Sequence, residues 1–343
     1  MSMVTIGDIA REAGVSATTV SNVIHGRTNR VSAQTVELVN GIIRRVGYVP
    51  NLSARALKSR STKVVAIIGT LKSGCQDELM SDPFFMDLAG TVERALRAEG
   101  FYLMIRAVAG GDELLEFLRT WNVEGVFAPG QLEQDPLLPT LLDLKMPVVL
   151  TDSYVSNLGH MCNVGLQDRE GGRMAAAHLI QNGHRRIAFA GPKSRPGGVV
   201  EQRLLGYRQA LEEAGIGFDP SLVYGCGLST GEMMELGRTL AARPDITAIF
   251  AAADLLAAGI MSGLQQSGRM VPRDISVVGF GDVNLCQMTM PMLTTVHQDA
   301  AEKGRLAAEC MLRLLKHEPM GSANWILPVR LVSRDSVHCI MDE

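Results

Sequence analysis

Small polar side chains near the beginning of the chain have the types and spacing needed to read a nucleic acid. Residues 9–26, IAREAGVSATTVSNVIHG, contain two short helical patterns on either side of a Gly-Val-Ser turn. In the second pattern, Val20, Val23 and Ile24 share one helical face. The opposite face has no large apolar side chain that would prevent close approach, and it carries Ala17, Thr18, Ser21, Asn22 and His25. Such a pair of helices is typical of a helix-turn-helix that places its second helix in the DNA major groove.

The charge of this region favours DNA recognition over an ordinary helical hairpin. Residues 1–63 carry nine Lys and Arg against three Asp and Glu, a net charge of +6. The whole chain has a net charge of −3, so the remaining residues carry −9. A basic segment on an acidic body predicts a polyanionic partner for that segment alone.

Three short helices must position these side chains. Thr5, Ser16 and Ser32 each precede a helical pattern and predict N-caps, while Gly14 and Gly47 predict helix ends. Residues 51–63, NLSARALKSRSTK, contain helix formers but are too few to form a stable isolated helix.

Apolar strands alternate with amphipathic helices from residue 64 onward. This alternation predicts parallel sheets covered by helices, and its length predicts two doubly wound lobes with a ligand site between them. We expect strands near 64–69, 101–106, 124–128, 147–151, 186–190, 222–226, 247–251 and 275–280. We expect helices near 84–99, 112–121, 136–144, 168–182, 202–214, 230–242, 254–267 and 299–316.

Composition and motifs indicate a cytoplasmic chain with no cofactor and no metal. At 343 residues the chain has room for two or three domains. Its six cysteines are dispersed without a C-x-x-C pair, and no export signal precedes the first helical pattern. Residues 248–264 are apolar, but they are rich in Ala and Gly and contain Asp254, which predicts a buried strand and helix and no membrane span.

Two other functions remain alternatives. One is a sugar-processing or nucleotide-dependent α/β enzyme, because residues 225–231, GCGLSTG, follow a strand and open a helix. Their spacing is not that of a dinucleotide loop, and the sequence has neither a Walker-type loop nor a G-x-S-x-G motif. The other is a solute-binding transport receptor, which would need an export signal and no DNA-binding head.

Several segments in the same order resemble the lactose-repressor and purine-repressor family of bacterial transcription regulators. The resemblance rests on TIGDIAREAGVSATTVSNVIHG, VSAQTVELVNGIIRRVGYVPNLSARALKS, DPFFMDLAGTVERALRAEGF, GHRRIAFAGP, QRLLGYRQALEEAGI and VPRDISVVGFGD. It implies a sequence-specific regulator, more often a repressor, that binds a near-palindromic double-stranded operator as a homodimer. Its effector would be a sugar or sugar acid.

The resemblance also implies the domain boundaries. It gives an all-α head at 1–50, a hinge helix and linker at 51–62, and an effector-binding core at 63–343 that resembles type I periplasmic binding proteins. Lobe 1 would comprise about 63–163 and 297–325. Lobe 2 would comprise about 164–296 and 326–343.

Residue by residue, the resemblance implies three sets of DNA contacts. Ala17, Thr18 and Asn22 stand where the family reads base edges, and Ser16, Thr19 and Ser21 stand where it contacts phosphates. Leu57 would wedge into the minor groove, with Ala54 packing hinge on hinge and Lys58 near phosphate. Thr5 and His25 complete the expected set.

The effector cleft of the family aligns with a further set of residues. Phe84, Phe85, Asp152, Arg203 and Asp254 are expected to line it, together with Arg106 and Asp282. Core packing is the alternative role for the two phenylalanines, and helix capping for Asp254. Many relatives have a carboxylate where this chain has Gly281, and an amide where it has Ala253. These departures argue against a lactose-like or purine ligand, while an acidic and a neutral sugar both remain open.

Overall fold

The computed structural model describes residues 4–48, 61–70, 82–192 and 197–340. The chain divides into two compact units, Met1–Thr62 and Lys63–Glu343. The described part of the first unit is entirely helical, and the second unit is α/β.

Three helices form the first unit: α1 (Ile6–Ala13), α2 (Ala17–Ile24) and α3 (Ala33–Val46). The predicted caps are confirmed, because the Thr5, Ser16 and Ser32 side chains each accept a hydrogen bond from a backbone N–H in the first helical turn. Gly14 and Gly47 end α1 and α3 with positive φ angles of 66° and 61°. The helices share one small apolar core of Ile9, Ala10, Val20, Val23, Val39 and Ile42.

The second unit contains two six-stranded sheets, which define lobe 1 and lobe 2. The lobe 1 strands are β1 (Val64–Thr70), β2 (Tyr102–Val108), β3 (Gly125–Pro129), β4 (Val148–Thr151), β5 (Cys162–Leu166) and β11 (Asn324–Leu327). Their spatial order is β11-β5-β4-β3-β1-β2, and all pairs are parallel. The helices of this lobe are α4 (Pro83–Ala98), α5 (Gly111–Trp121), α6 (Leu138–Asp143) and α11 (Ala300–Leu315).

Lobe 2 repeats this plan with one antiparallel pair. Its strands are β6 (Ile187–Pro192), β7 (Val223–Cys226), β8 (Ala248–Ala251), β9 (Ser276–Gly281), β10 (Thr294–His297) and β12 (Arg330–Val332). The order is β12-β10-β9-β8-β6-β7, and β12 runs antiparallel to β10. Its helices are α7 (Asp168–Gln181), α8 (Val199–Glu213), α9 (Thr230–Ala241) and α10 (Asp254–Gln266).

The chain crosses between the lobes three times: after Leu166, after His297 and after Leu327. The expected boundaries near 163 and 325 therefore need correction, because each falls inside a strand that pairs to its end within lobe 1. The eight predicted strands and eight predicted core helices are present within a few residues of their expected limits. The prediction missed β5, β10, β11 and β12, which are short and become strands by pairing with distant parts of the chain.

Close backbone packing of α7 against α8 depends on glycine. A Cβ at Gly172 would collide with the Arg203 backbone, and one at Gly206 would collide with the Arg169 carbonyl oxygen. The two helices can therefore approach each other only without side chains at these positions. This approach brings Asp168 at the start of α7 beside Arg203 in α8.

We predict that Gly206→Ala lowers the free energy of unfolding by about 1–3 kcal/mol, because the added methyl must push two backbones apart. Urea unfolding of the whole chain measures the change. Gly231→Ala in α9 is the matched control, since a Cβ there meets nothing within 4 Å. The control should be neutral or stabilise by up to about 1 kcal/mol. Equal effects of the two substitutions would contradict the packing argument.

Candidate functional site

The outward face of α2 is an accessible surface of small polar side chains. Val20 and Val23 are buried in the core of the first unit, while Ser16, Ala17, Thr18 and His25 are exposed. Thr19, Ser21 and Asn22 are half-buried. An amide at the position of Asn22 can make a bidentate pair with adenine, whereas Ala17 can offer only an apolar contact.

Hydrogen bonds at the helix N-termini hold the Ser16 and Thr19 hydroxyls, which are expected at phosphates, and also the Thr5 hydroxyl. The Ser16 hydroxyl accepts from the Thr19 backbone N–H and lies 2.9 Å from the Thr19 hydroxyl. The Thr5 hydroxyl donates to Asp8, and the Thr5 backbone N–H donates to the same carboxylate. These bonds lower the pKa of Asp8. The start of α2 keeps the positive end of a helix dipole, a suitable location for a phosphate.

The expected hinge residues Ala54, Leu57 and Lys58 lie outside the described residues.

A cavity of about 400 Å³ opens at the carboxyl ends of the parallel strands of both lobes. From lobe 1 it is lined by the ends of β1, β3 and β4 and by the start of α4. From lobe 2 it is lined by the ends of β8 and β9 and by the first turns of α8 and α10. Carboxyl ends of parallel strands are the usual place for ligands in such folds. Of the expected effector residues, Phe84, Phe85, Asp152, Arg203 and Asp254 line this cavity.

Two buried amide oxygens in the cavity wall have no hydrogen-bond partner among the described residues. They are Oε1 of Gln131, which follows β3, and Oε1 of Gln298, which follows β10. The two side chains are only 1% and 6% exposed. The Gln131 Nε2 donates to the Pro129 carbonyl oxygen at 3.2 Å. A buried acceptor without a partner is costly, so these oxygens favour a ligand that donates hydrogen bonds.

Asp82 places a carboxylate in the cavity wall at the N-terminus of α4. Its Oδ1 accepts from the Phe84 backbone N–H at 3.0 Å and so caps the helix. Burial raises the pKa of Asp82.

Arg203 contacts the cavity while its charge is compensated inside the protein. Its Nε and Nη2 lie 2.8 and 2.7 Å from Oδ1 of Asp168, and its Nη1 donates to the Ala252 carbonyl oxygen. The guanidinium lies 3.6 Å from the centroid of the Phe280 ring. Burial raises the pKa of Asp168, and the neighbouring Arg203 opposes this effect.

Asp168 also links the two lobes. Tyr154, in the lobe 1 loop after β4, donates its hydroxyl to Asp168 Oδ2 at 2.8 Å. Burial, followed by the charge of Asp168, raises the pKa of Tyr154, which keeps this hydroxyl protonated. Within lobe 1, the fully buried Lys303 lies 2.5 Å from Asp152 and 4.9 Å from the Phe84 ring centroid.

Asp254 lines the cavity, but its carboxylate is already bonded within lobe 2. Oδ1 accepts from the Thr295 hydroxyl and Oδ2 from the Val283 backbone N–H. Burial raises its pKa. The capping alternative is wrong, because Asp254 is the first residue of α10 and Ala253 is its N-cap residue.

Two expected effector residues do not reach the cavity. Arg106 is exposed on β2, the edge strand of lobe 1, and pairs with Glu113 of α5. Asp282 has a left-handed backbone with φ of 61°, which directs its carboxylate to Arg334 at 2.5 Å and His297 at 2.9 Å. Phe85 belongs both to the lobe 1 core and to the cavity wall.

Sequence reasoning missed Asp82, Gln131 and Gln298 at the cavity, and Asp168, Tyr154 and Lys303 behind it. The sequence did contain a signal that could have identified the two glutamines as site residues. Each follows an apolar strand directly or within two residues. Among the described residues, no cluster of His, Cys, Asp and Glu could hold a metal ion. None of the described helices combines the length and the apolar composition needed to span a bilayer.

Two family models match the chain. The model of bacterial regulatory proteins of the lacI family matches residues 5–51, and the periplasmic binding protein-like domain matches residues 176–337. The HTH-type transcriptional regulator CelR of Thermobifida fusca is 34% identical over 344 residues, which cover 97% of this chain and 98% of that protein. The ribose operon repressor of Haemophilus influenzae is 30% identical over 347 residues, with coverages of 98% and 100%.

Solved structures of similar proteins match this chain over nearly its whole length. A complex of the transcriptional regulator CelR with cellobiose is 31% identical, with a TM-score of 0.70 and coverages of 97% of this chain and 99% of that one. The lac repressor dimer bound to operator and the anti-inducer ONPF has a TM-score of 0.80 at 24% identity, with coverages of 98% and 100%, and so supports the fold.

A helix-turn-helix head and a two-lobed ligand-binding core in one chain define a DNA-binding transcription regulator. The chain belongs to the lacI family of bacterial regulatory proteins. The predicted family and fold class are confirmed. The transport-receptor alternative is wrong, because the chain carries the DNA-binding head of this family.

We predict that Arg203→Leu lowers the free energy of unfolding by about 3–5 kcal/mol, because it leaves the Asp168 carboxylate buried and unpaired. The double variant with Asp168→Asn should recover part of this loss, since no unpaired charge remains. Urea unfolding monitored by circular dichroism measures both variants. Arg106→Leu is the control, because an exposed ion pair contributes less than about 1 kcal/mol. A double variant no more stable than Arg203→Leu alone would argue against the unpaired charge as the cause.

Proposed function

We propose that this regulator is a repressor that binds a near-palindromic operator as a homodimer and responds to a sugar. The observation that carries the effector part is that Gln131 and Gln298 line the cavity between the two lobes and that their buried amide oxygens have no hydrogen-bond partner among the described residues. Sugars are rich in hydroxyl donors that can satisfy such acceptors. The relatives' names support the class, since one is solved with cellobiose and another represses a ribose operon.

A neutral sugar fits the described cavity better than an acidic one. Arg106, one of the two arginines expected at the cleft, does not line the cavity and pairs with Glu113. Arg203 is already paired with Asp168, and Lys303 with Asp152. The described lining thus offers carboxylates and amide oxygens to the ligand, and these accept hydrogen bonds from hydroxyls. Phe84 and Phe85 offer an apolar surface beside them.

On the DNA side, the proposal assigns base contacts to Ala17, Thr18 and Asn22, and phosphate contacts to Ser16, Thr19 and Ser21. Thr5 and His25 flank this surface. The hinge contacts of Ala54, Leu57 and Lys58 belong to the same proposal. The net charge of +6 over residues 1–63 supports it, because phosphate neutralisation dominates the affinity of proteins for DNA.

Three exposed methionines in one short segment support the homodimer. Met288 and Met290 are 76% and 86% exposed, and Met292 is exposed beside them. Exposed apolar side chains this close in the sequence favour an interaction site, and flexible methionine side chains pack well at interfaces. A symmetric pair of heads also matches the two halves of a palindromic operator.

We further propose that the protein binds its effector without converting it. The binding would take place in the cytoplasm, where operator DNA is present. Neither matched family model describes an enzyme. Recovery of each bound sugar unchanged after prolonged incubation with the protein would support binding alone, and a converted product would contradict it.

Selection of genomic fragments on the purified protein tests the whole proposal. We expect enrichment of a near-palindromic site over random competitor at moderate ionic strength, and a change in its affinity on adding cellobiose, ribose or another neutral sugar. A coupling of about 1–3 kcal/mol corresponds to a change of roughly 5–150-fold. No preference for any fragment, with and without sugars, would reject the proposed function.

We predict that Asn22→Ala relaxes the preference at one base pair of each half-site by about 1–3 kcal/mol, because a bidentate amide contact is lost. Competition binding with all four bases at each operator position measures the preference. Asn40→Ala, the same change on α3, should leave every position unchanged. An equal loss of affinity for all sequences would instead identify Asn22 as a backbone contact.

A further inference from the structure

Two buried cysteines of lobe 1 lie side by side although they are 148 positions apart in the chain. Cys162 is the first residue of β5, Cys310 lies in α11, and their sulfur atoms are 3.1 Å apart. The two residues are 1% and 3% exposed, and both are free cysteines. A disulfide bond is about 2.0 Å long, so the two sulfurs need to approach each other by only about 1 Å to form one.

The two thiols are not equivalent. They lie in the apolar cluster of lobe 1 with Val149, Val164 and Met311, and the Cys162 thiol donates its hydrogen bond to the Cys310 sulfur. This hydrogen bond lowers the pKa of Cys310. The same bond, together with burial, raises the pKa of Cys162. Cys310 is therefore the sulfur that more readily becomes a thiolate, which is the nucleophilic form of cysteine.

The other described cysteines have different surroundings. Cys226 and Cys286 are buried in an apolar cluster of lobe 2, and Cys339 is exposed in the segment after β12. They provide internal references for the pair in lobe 1, because two of them are buried like the pair and one is open to solvent.

The pair lies where lobe 2 is attached to lobe 1. The β5 strand ends at Leu166, where the chain leaves for lobe 2, and α11 begins shortly after His297, where the chain returns. A bond between Cys162 and Cys310 would therefore close a loop that contains β6 to β10 and α7 to α10 of lobe 2. Both cysteines belong to lobe 1, so the bond would fasten the base of this loop without joining one lobe to the other.

We propose that Cys162 and Cys310 form a redox site, at which a hydroperoxide such as hydrogen peroxide oxidises the two thiols to a disulfide that fastens α11 to β5. The disulfide would form while peroxide is present and would open again by exchange with a reducing thiol. This inference goes beyond the proposed function, and it depends on neither DNA nor a sugar.

The oxidation takes place in two steps. The Cys310 sulfur attacks one peroxide oxygen, so that an S–O bond forms and the O–O bond breaks, and the leaving hydroxide takes the Cys310 proton and becomes water. The Cys162 sulfur then attacks the sulfur of the sulfenic acid at Cys310. An S–S bond forms, the S–O bond breaks, and the hydroxide leaves with the Cys162 proton as a second water. The two thiols lose two electrons, and the peroxide gains them.

Peptide mapping of the whole protein tests the pairing. The folded, reduced protein is treated with hydrogen peroxide, its remaining thiols are alkylated, and it is digested with trypsin without reduction. Cys162 and Cys310 then lie in the peptides 146–169 and 306–313, which contain no other cysteine. We expect mass spectrometry to find these peptides linked after peroxide and separate after dithiothreitol.

Three results of the mapping would overturn the proposal. The first is an unlinked pair at a peroxide dose that oxidises the exposed Cys339. The second is linkage only in protein unfolded with urea. The third is conversion of Cys310 in the folded protein to a sulfinic acid in place of the disulfide.

Urea unfolding tests whether the bond fastens the fold. A link between residues far apart in the sequence restricts the unfolded chain, so the oxidised protein should unfold at a urea concentration about 1 M higher than the reduced protein. Dithiothreitol should abolish this rise, and Cys310→Ser, which cannot form the bond, should not show it. Cys226→Ala is the matched control in lobe 2 and should keep the rise, and Cys162→Ala replaces Cys310→Ser if that variant does not fold. An unchanged midpoint in the linked protein, or an equal rise in Cys310→Ser, would contradict the proposal.

Discussion

The contact between Asp168 and Arg203 is the interaction on which the core most depends. It joins a fully buried carboxylate to a nearly buried guanidinium, and either group without the other would be an uncompensated charge. The same carboxylate accepts the Tyr154 hydroxyl of lobe 1, and the same guanidinium forms part of the cavity wall. One pair of charges therefore connects the packing of lobe 2, the contact between lobes and the ligand site.

Glycine makes this interaction possible. The α7 and α8 helices contact each other through Gly172 and Gly206, and only this approach lets the first residue of α7 reach a guanidinium one turn into α8. A second pair of glycines has a similar role in lobe 2, since Gly279 and Gly281 leave space for the Asp254 carboxylate. In both places, the absence of a side chain leaves space for a buried carboxylate to reach its partners.

The local sequence pattern was sufficient to predict the helices of the head and most helices and strands of the core. Ser16, Val20 and Val23 have roles that follow from neighbours within one turn, so the sequence predicted them directly. Gln131 and Gln298 were missed because their importance depends on which strand ends meet, which three crossings between the lobes determine. Arg106 was placed wrongly for a related reason: successive side chains alternate across a strand, and its position on β2 directs it to Glu113.

A ligand that contacts both lobes in the cavity is sensitive to the distance between the lobes. Hydrogen bonds to Gln131 depend on lobe 1, apolar contacts with Leu255 depend on lobe 2, and both are optimal only at one separation. Tyr154 and Asp168 already hold the lobes together by a single hydrogen bond, which contributes about 1.5–3 kcal/mol when its acceptor is charged. A ligand can shift the lobe arrangement only by its difference in affinity between the two arrangements. A ligand that spans the cavity has such a difference, because opening the lobes removes its contacts with one of them.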